Sequence, residues 1–252
     1  DYFIGVSAGI AFGLSYLSKQ HGRNLELARK YMSDGNYQGF KFLFDKNRKT
    51  FYNLDYVFDE VPNKLLPFDY DAFAAFPGQV EAAVTNIHSG KAEYLEVPRD
   101  SSSMAVIEAS CALPVFFKPV QVGRRYYLDG GVADSVPLDA FRKLGYEKNI
   151  VVLTRQKGYR KKPSSMALAG RIYRKYPAFV EALSHRHECY NESLRQIEEL
   201  EKMGEIFVLR PDEPLKIGRL ERSPEKLQQV YDIGRRDALM KMRDLKRWLE
   251  NH

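Results

Sequence analysis

Apolar residues recur along this chain with two periods, and the switches between them mark out the elements. Residues 1–4 read as the end of a short strand, and residues 8–17, small and apolar throughout, read as a helix. Asn24 is expected to cap a helix over residues 25–32, which Ser33-Asp34-Gly35-Asn36 ends. Residues 40–67 are rich in aromatics (Phe40, Phe42, Phe44, Phe51, Tyr52, Tyr56, Phe58) and are expected to form a helical, irregular cover over the sheet edge. Core packing is the ordinary role for each of these rings, and an acyl-binding groove is the alternative. Residues 69–76 predict a short helix. Residues 80–87 and 92–97 predict two strands joined by a tight turn at His88-Ser89-Gly90-Lys91.

Farther on, Ser101-Ser102-Ser103 is expected to cap a helix running to about Cys111, with Pro114 ending it. Residues 115–122 and 124–128 are expected to be extended, and Asp129-Gly130-Gly131 follows directly. Residues 137–144 predict a helix stopped by Gly145. Residues 149–154 are nearly all apolar, the pattern of a buried strand. The basic, loop-like stretch 156–165 is the candidate boundary, dividing the chain into residues 1–155 and 156–252. Beyond it the pattern is mostly helical: residues 166–176, 178–203 and a long charged helix over 224–249, with a candidate break at Gly234. One more strand is expected at 205–210.

The composition narrows the class. With 252 residues, 44 % hydrophobic and 29 % charged, the chain has the make-up of a globular α/β protein. No apolar run reaches the length of a bilayer span. Two cysteines, Cys111 and Cys189, are too few for a disulfide framework and point to a reducing, cytoplasmic setting. No C-x-x-C or H-E-x-x-H pattern offers a metal site, and no cofactor is implied. A net charge of +6 favours anionic partners, such as a phospholipid surface at which the protein would sit peripherally. Basic residues interleaved with acids, without a recognisable module, argue against nucleic acid.

One stretch carries chemistry. Gly5-Val6-Ser7-Ala8-Gly9 is a G-x-S-x-G pattern between a strand and a helix. So abrupt a turn strains the backbone at its serine, and glycines at the flanks relieve the crowding. The hydroxyl of Ser7 is then held beside a helix N-terminus, where Ala8 offers an N–H to developing negative charge. A nucleophilic serine needs a base. Asp129 ends an apolar strand and is followed by Gly130 and Gly131, which let backbone approach closely. Alternatively, His185 or His187 would complete a Ser-His-Asp esterase, but both lie in a strongly charged helix, where a solvated face is the ordinary reading.

Three segments, in order, resemble the bacterial patatin-like phospholipase family: Gly5-Val6-Ser7-Ala8-Gly9, Ala109-Ser110-Cys111-Ala112-Leu113-Pro114-Val115-Phe116-Phe117-Lys118-Pro119, and Leu128-Asp129-Gly130-Gly131-Val132-Ala133-Asp134-Ser135-Val136-Pro137. The resemblance implies a three-layer α/β/α sheet with a mostly helical C-terminal extension. It also implies a Ser–Asp dyad without histidine, Ser7 as nucleophile and Asp129 as base, hydrolysing acyl esters of lipids without metal or cofactor. The family's glycine-rich oxyanion loop, upstream of the serine, has no counterpart here; Gly35, Gly39 and Gly78 do not form a glycine cluster. The chain opens with Asp1 inside an element. The expectation is therefore an N-terminally truncated catalytic domain, lacking its first strand and weak in activity. The rival expectation is a catalytically silent module that binds a membrane or partner through the basic stretch and the charged helices.

Overall fold

The computed structural model describes residues 1–39, 42, 52–53, 55–99, 104–218 and 221–251. β1 (Tyr2–Val6) turns at Ser7 into α1 (Ala8–Leu17). α2 (Arg23–Glu26) winds on as a π-helical stretch, Leu27–Met32. A second π-helical segment, Tyr56–Leu65, and α3 (Tyr70–Ala74) lead to the hairpin of β2 (Gln79–Asn86) and β3 (Ala92–Glu96). α4 (Met104–Cys111), β4 (Val120–Val122), β5 (Arg125–Asp129) and a single 3-10 turn, Gly130–Val132, follow. The rest is α5 (Leu138–Arg142), β6 (Asn149–Val152), α6 (Ala167–Ile172), α7 (Pro177–Met203), β7 (Ile206–Leu209) and α8 (Pro224–Asn251).

The sheet is built on β2. Its buried residues Val80, Ala82, Ala83, Val84 and Thr85 carry no charge, as a strand covered on both faces requires. Val80 and Ala82 face α1 and α4, where they pack with Ile10, Leu14, Phe73 and Ile107. Ile87, on the opposite face, packs with Leu128, Phe117, Tyr173 and Phe179. Helices therefore cover both faces of the sheet, giving the expected α/β/α layering.

The pairing along β2 decides where the chemistry sits. β3 runs antiparallel along one edge, from Glu81 opposite Glu96 to Thr85 opposite Ala92. The other edge is shared. β1 runs parallel along it as far as Val6 opposite Ala83, and β5 comes down antiparallel from Tyr127 opposite Asn86 to Asp129 opposite Val84. Backbone direction supports this: Gln79 N–H bonds Asp1 and Ile87 N–H bonds Tyr126 on this edge, while Asn86 N–H bonds Lys91 on the β3 edge. Two strands thus meet end to end on one edge of a third. The far side of β1 has no strand partner among the described residues.

Several sequence expectations change. Asn24 does not cap a helix; Gly22, at φ +80°, occupies that place, and the Asn24 amide donates to the Phe12 carbonyl of α1. Residues 115–119 are not extended. Val115 sits at φ +75° in a turn closed by Phe117 N–H to Leu113 O, and strand begins only at Val120. The apolar run 149–154 is only half buried: Val151 and Leu153 face inward while Ile150 and Val152 are exposed. It pairs with β7 in a separate two-stranded sheet, covered on one face. Helix α8 continues through Gly234 without a break. The proposed serine cap at 101–103, and Phe40, Phe44 and Phe51, lie outside the described residues.

The stretch from 156 onward shares its cores with what precedes it. Leu138, Val151 and Leu153 pack with Leu194, Ile197 and Leu200 of α7.

Candidate active site

Ser7 stands at φ +54°, ψ −124°, a backbone conformation rarely taken by a residue with a side chain. Its turn is fixed from both sides. A Cβ on Gly5 would lie 2.6 Å from the Ile10 backbone, so glycine there lets β1 lie against the first turn of α1. Gly9 differs from expectation, because a Cβ there would meet nothing within 4 Å. The crowding expected on both flanks of the serine is found on one. Ala8 and Gly9 are exposed at the start of α1, where the N–H groups have no partners within the helix.

Asp129, the last residue of β5, is 1 % exposed. Its Oδ1 accepts the Gly131 N–H at 2.8 Å. Its Oδ2 is buried and closes no hydrogen bond among the described residues. The Ser7 hydroxyl lies beside this carboxyl and favours its ionised form. Burial pushes the Asp129 pKa above the usual carboxylate range; the Ser7 hydroxyl, the Arg186 guanidinium, the Gly131 N–H and Lys161 pull it back. Gly130 is required by space, since a Cβ would lie 2.1 Å from the Ala83 carbonyl oxygen. At Gly131 a Cβ would approach Asp129 Oδ1 to 2.9 Å and Arg186 to 3.3 Å.

The seam between the ends of β1 and β5 would leave backbone groups unpaired. The C-terminal end of α4 fills it. Ser110, fully buried, accepts the Ser7 N–H at 2.9 Å and donates to the Ala83 carbonyl at 2.7 Å. Ala112 O accepts the Asp129 N–H at 2.8 Å. Thr85 Oγ1 donates to Asp129 O at 2.9 Å and accepts Ala133 N–H at 3.2 Å. Sequence reading gave Ser110 and Thr85 no role. The available signal was a hydroxyl in each of two otherwise apolar buried stretches.

Beside the seam, burial, with Asp129 and Glu108 behind it, pushes the Cys111 thiol well above its ordinary value. Glu108, one turn earlier on α4, is raised to about 7, by burial first and then by Asp55.

Among the described residues, no histidine bonds Ser7 or Asp129. His185 Nδ1 lies 3.0 Å from the Glu181 carbonyl, and His187 Nδ1 lies 3.1 Å from that of Ser184, each on its own helix. His88 packs edge-on against Tyr176.

Among the described residues, the aromatic cover lines a small recess between α1, α4 and the second π-helical segment. Ala11, Leu14, Phe58, Phe68, Met104 and Ile107 are among its lining residues, and its volume is about 40 Å³. That is room for a few waters and far short of an acyl chain. Tyr52 stacks on Phe117 in the core, and the Tyr56 hydroxyl donates to Asp34. The basic stretch is largely engaged within the protein. Arg160 pairs with Glu198 at 2.7 Å, and Lys161 lies 4.2 Å from the centre of the Tyr190 ring.

Comparison with known proteins gives two family matches and a relative. The family described as patatin-like phospholipase matches residues 1–142. A domain of unknown function (DUF6363) matches residues 176–250. The chain is 22 % identical over 258 residues to "Uncharacterized protein YjjU" of Escherichia coli (strain K12), an alignment covering 93 % of this chain. It spans 66 % of that relative, just under two thirds of its length.

Proposed function

The chain belongs to the patatin-like phospholipase family, and from that premise we propose that it hydrolyses lipid acyl esters through a dyad of Ser7 and Asp129. Asp129 takes the proton of Ser7 Oγ as the oxygen attacks the ester carbonyl carbon. The carbonyl becomes an oxyanion facing the Ala8 N–H and the start of α1, where the helix dipole favours negative charge. Collapse breaks the ester C–O bond, and the leaving alkoxide takes the proton back from Asp129. Water then attacks the acyl-serine with Asp129 again as base, freeing the fatty acid and regenerating Ser7. No step requires an imidazole or a metal.

The observation that carries this reading is the meeting of β1 and β5 on one edge of β2, with Val6 opposite Ala83 and Asp129 opposite Val84. The strained serine and the buried carboxylate are brought to one point by that register. Residues 1–155 are the catalytic unit in this reading and 156–252 the helical extension. The start of α1, at Ala8 and Gly9, offers the oxyanion its N–H groups, and loss of one such donor costs on the order of 100- to 1000-fold in rate. Contact with a membrane is proposed to be peripheral, through the basic surface of a chain with net charge +6; no helix among the described residues is long and apolar enough to cross one.

A fluorophosphonate probe tests the reading directly. It should label Ser7 in the native chain and leave Ser7→Ala unlabelled, with Asp129→Asn strongly slowed. His185→Ala and His187→Ala should label at the native rate. Loss of labelling in either histidine variant would return the Ser-His-Asp esterase. No labelling of the native chain, with salt-sensitive binding to anionic vesicles, would favour the silent module.

A further inference from the structure

α7 crosses the face of the sheet that carries the 3-10 turn after Asp129, and it brings a cation to that turn. Arg186 Nε donates to the Gly131 carbonyl at 2.5 Å. The same carbonyl accepts the Ser135 hydroxyl at 2.7 Å. The N–H of Gly131 in turn holds Asp129 Oδ1 at 2.8 Å. One peptide unit thus links the guanidinium to the carboxylate. Arg186 belongs to the segment matching the domain of unknown function.

We propose that Arg186 is a positioning residue for the Ser7–Asp129 site, so that the C-terminal helical region is a working part of the active centre. This rests on the dyad reading above. The 3-10 turn Gly130–Val132 is short, and both its glycines are held tightly. An arginine is suited to the place because its planar fork fixes a direction that a lysine ammonium does not. It also places positive charge behind a carboxylate that is otherwise buried.

The groups that bear on Asp129 come from every neighbouring element. α7 supplies Arg186, and the connection after β6 supplies Lys161. The β1–α1 turn supplies the Ser7 hydroxyl, and the Gly130–Val132 turn supplies the Gly131 N–H. α4 presents the Cys111 thiol, with Glu108 behind it. The two cations named both lie beyond residue 155. Without them, burial acts on Asp129 with only the Ser7 hydroxyl and the Gly131 N–H to oppose it. The region after the catalytic unit therefore holds the base nearer its ordinary value.

The test is the pH dependence of Ser7 labelling and of short-chain ester hydrolysis in the full chain, with Arg186→Gln and Arg186→Lys. In Arg186→Gln the acid limb should move up by about one pH unit, the low end of the effect of an opposite charge in contact. Its kcat should fall about tenfold with KM little changed, because a positioning role acts through the Gly131 peptide and not through a contact with substrate. Arg186→Lys keeps the charge, so its limb should stay in place while kcat falls about fivefold for want of the fixed Nε–H. An unmoved limb in Arg186→Gln overturns the proposal. Should Arg186→Gln fail to fold, native kcat in Arg186→Lys overturns it, and a reduced kcat with an unmoved limb supports it. Failure of the dyad reading looks different: Ser7→Ala or Asp129→Asn would keep native labelling and hydrolysis, whatever the Arg186 variants do.

Discussion

Around the ends of β1 and β5 the polar groups are buried and the backbone is bent; around β6, β7 and the outer turns of α7 they lie nearer the surface and the backbone is relaxed. Among the described residues, the non-glycine positions of positive φ are Ser7, Lys19 and Val115, all in the first half of the chain. Ser110, Thr85 and Asp129 are each 2 % exposed or less. In the second region most polar groups pair toward solvent, as Arg142 does with Glu205 and Arg160 with Glu198, though Asn149 and Arg210 are buried, Arg210 against Glu201. The β6–β7 pair packs Val151, Ile206 and Val208 inward and leaves Val152 out, an ordinary one-sided sheet. The difference teaches where sequence change is tolerated. The first region is over-determined by groups with one permissible partner each, and the second is held by apolar burial and replaceable charges.

The largest effect that sharpens this contrast is on chemistry. Asp129→Asn should lower ester hydrolysis on the order of 100- to 10,000-fold, the range for a lost general base. The same substitution should make the protein more stable at pH 7. Burial raises the folded carboxyl above its unfolded value of about 3.9. The native chain therefore loses stability as pH rises through the window above that value, and the asparagine variant does not. Thermal melts at pH 4 and pH 7 should show a gap that opens with pH; a variant less stable than native at pH 7 would contradict the electrostatic account.

Next comes Gly130→Ala, expected to cost about 3 kcal/mol or more, because the Ala83 carbonyl cannot retreat without breaking the sheet. Gly9→Ala, on the other flank of the same site, should be neutral or stabilising by about 0.5–1 kcal/mol. Urea unfolding of the pair measures the asymmetry directly, and equal losses would dissolve it. Ser110→Ala follows, leaving the Ser7 N–H and the Ala83 carbonyl without their shared partner. We expect a loss of about 1–3 kcal/mol. Ser7 labelling should also slow, by up to about 100-fold if the turn shifts by an ångström. The smallest effect belongs to the second region. Arg160→Ala removes a partly exposed pair with Glu198 and should cost no more than about 1 kcal/mol, with labelling unchanged. A loss as large as that of Ser110→Ala would break the comparison.

Much of this was legible before any fold was known. The Ser7 turn shows itself through context, a serine flanked by glycines where one apolar run gives way to another, and the α1 bounds follow from its apolar run. Asp129 shows itself as a charge ending an apolar strand just before two glycines. The misreadings have physical causes. Asn24 has the side chain of a helix cap, yet the carbonyl it bonds belongs to another helix. The run at 149–154 is apolar enough for a strand buried on both faces, but its two-stranded sheet is covered on one. Gly9 completes a motif without being forced by any neighbour. Ser110 showed only as a hydroxyl among apolar neighbours, and Arg186 carried no local signal, since an arginine in a charged helix is ordinary.

By itself, then, the sequence determined the local geometry: which residue bends, which strand ends in a carboxylate, and which family the pattern resembles. These depend on neighbours a few positions away, where the chemistry of one side chain restricts one stretch of backbone. Tertiary structure alone decided that β1 and β5 share an edge of β2, that α4 closes the seam between them, and that α7 lays Arg186 against the turn after Asp129. Those are contacts across roughly 50 to more than 100 positions, and each uses backbone N–H or C=O groups, which every residue but proline carries alike, so neither the strand pairing nor the backbone partner of Ser110 or Arg186 is written in the local sequence.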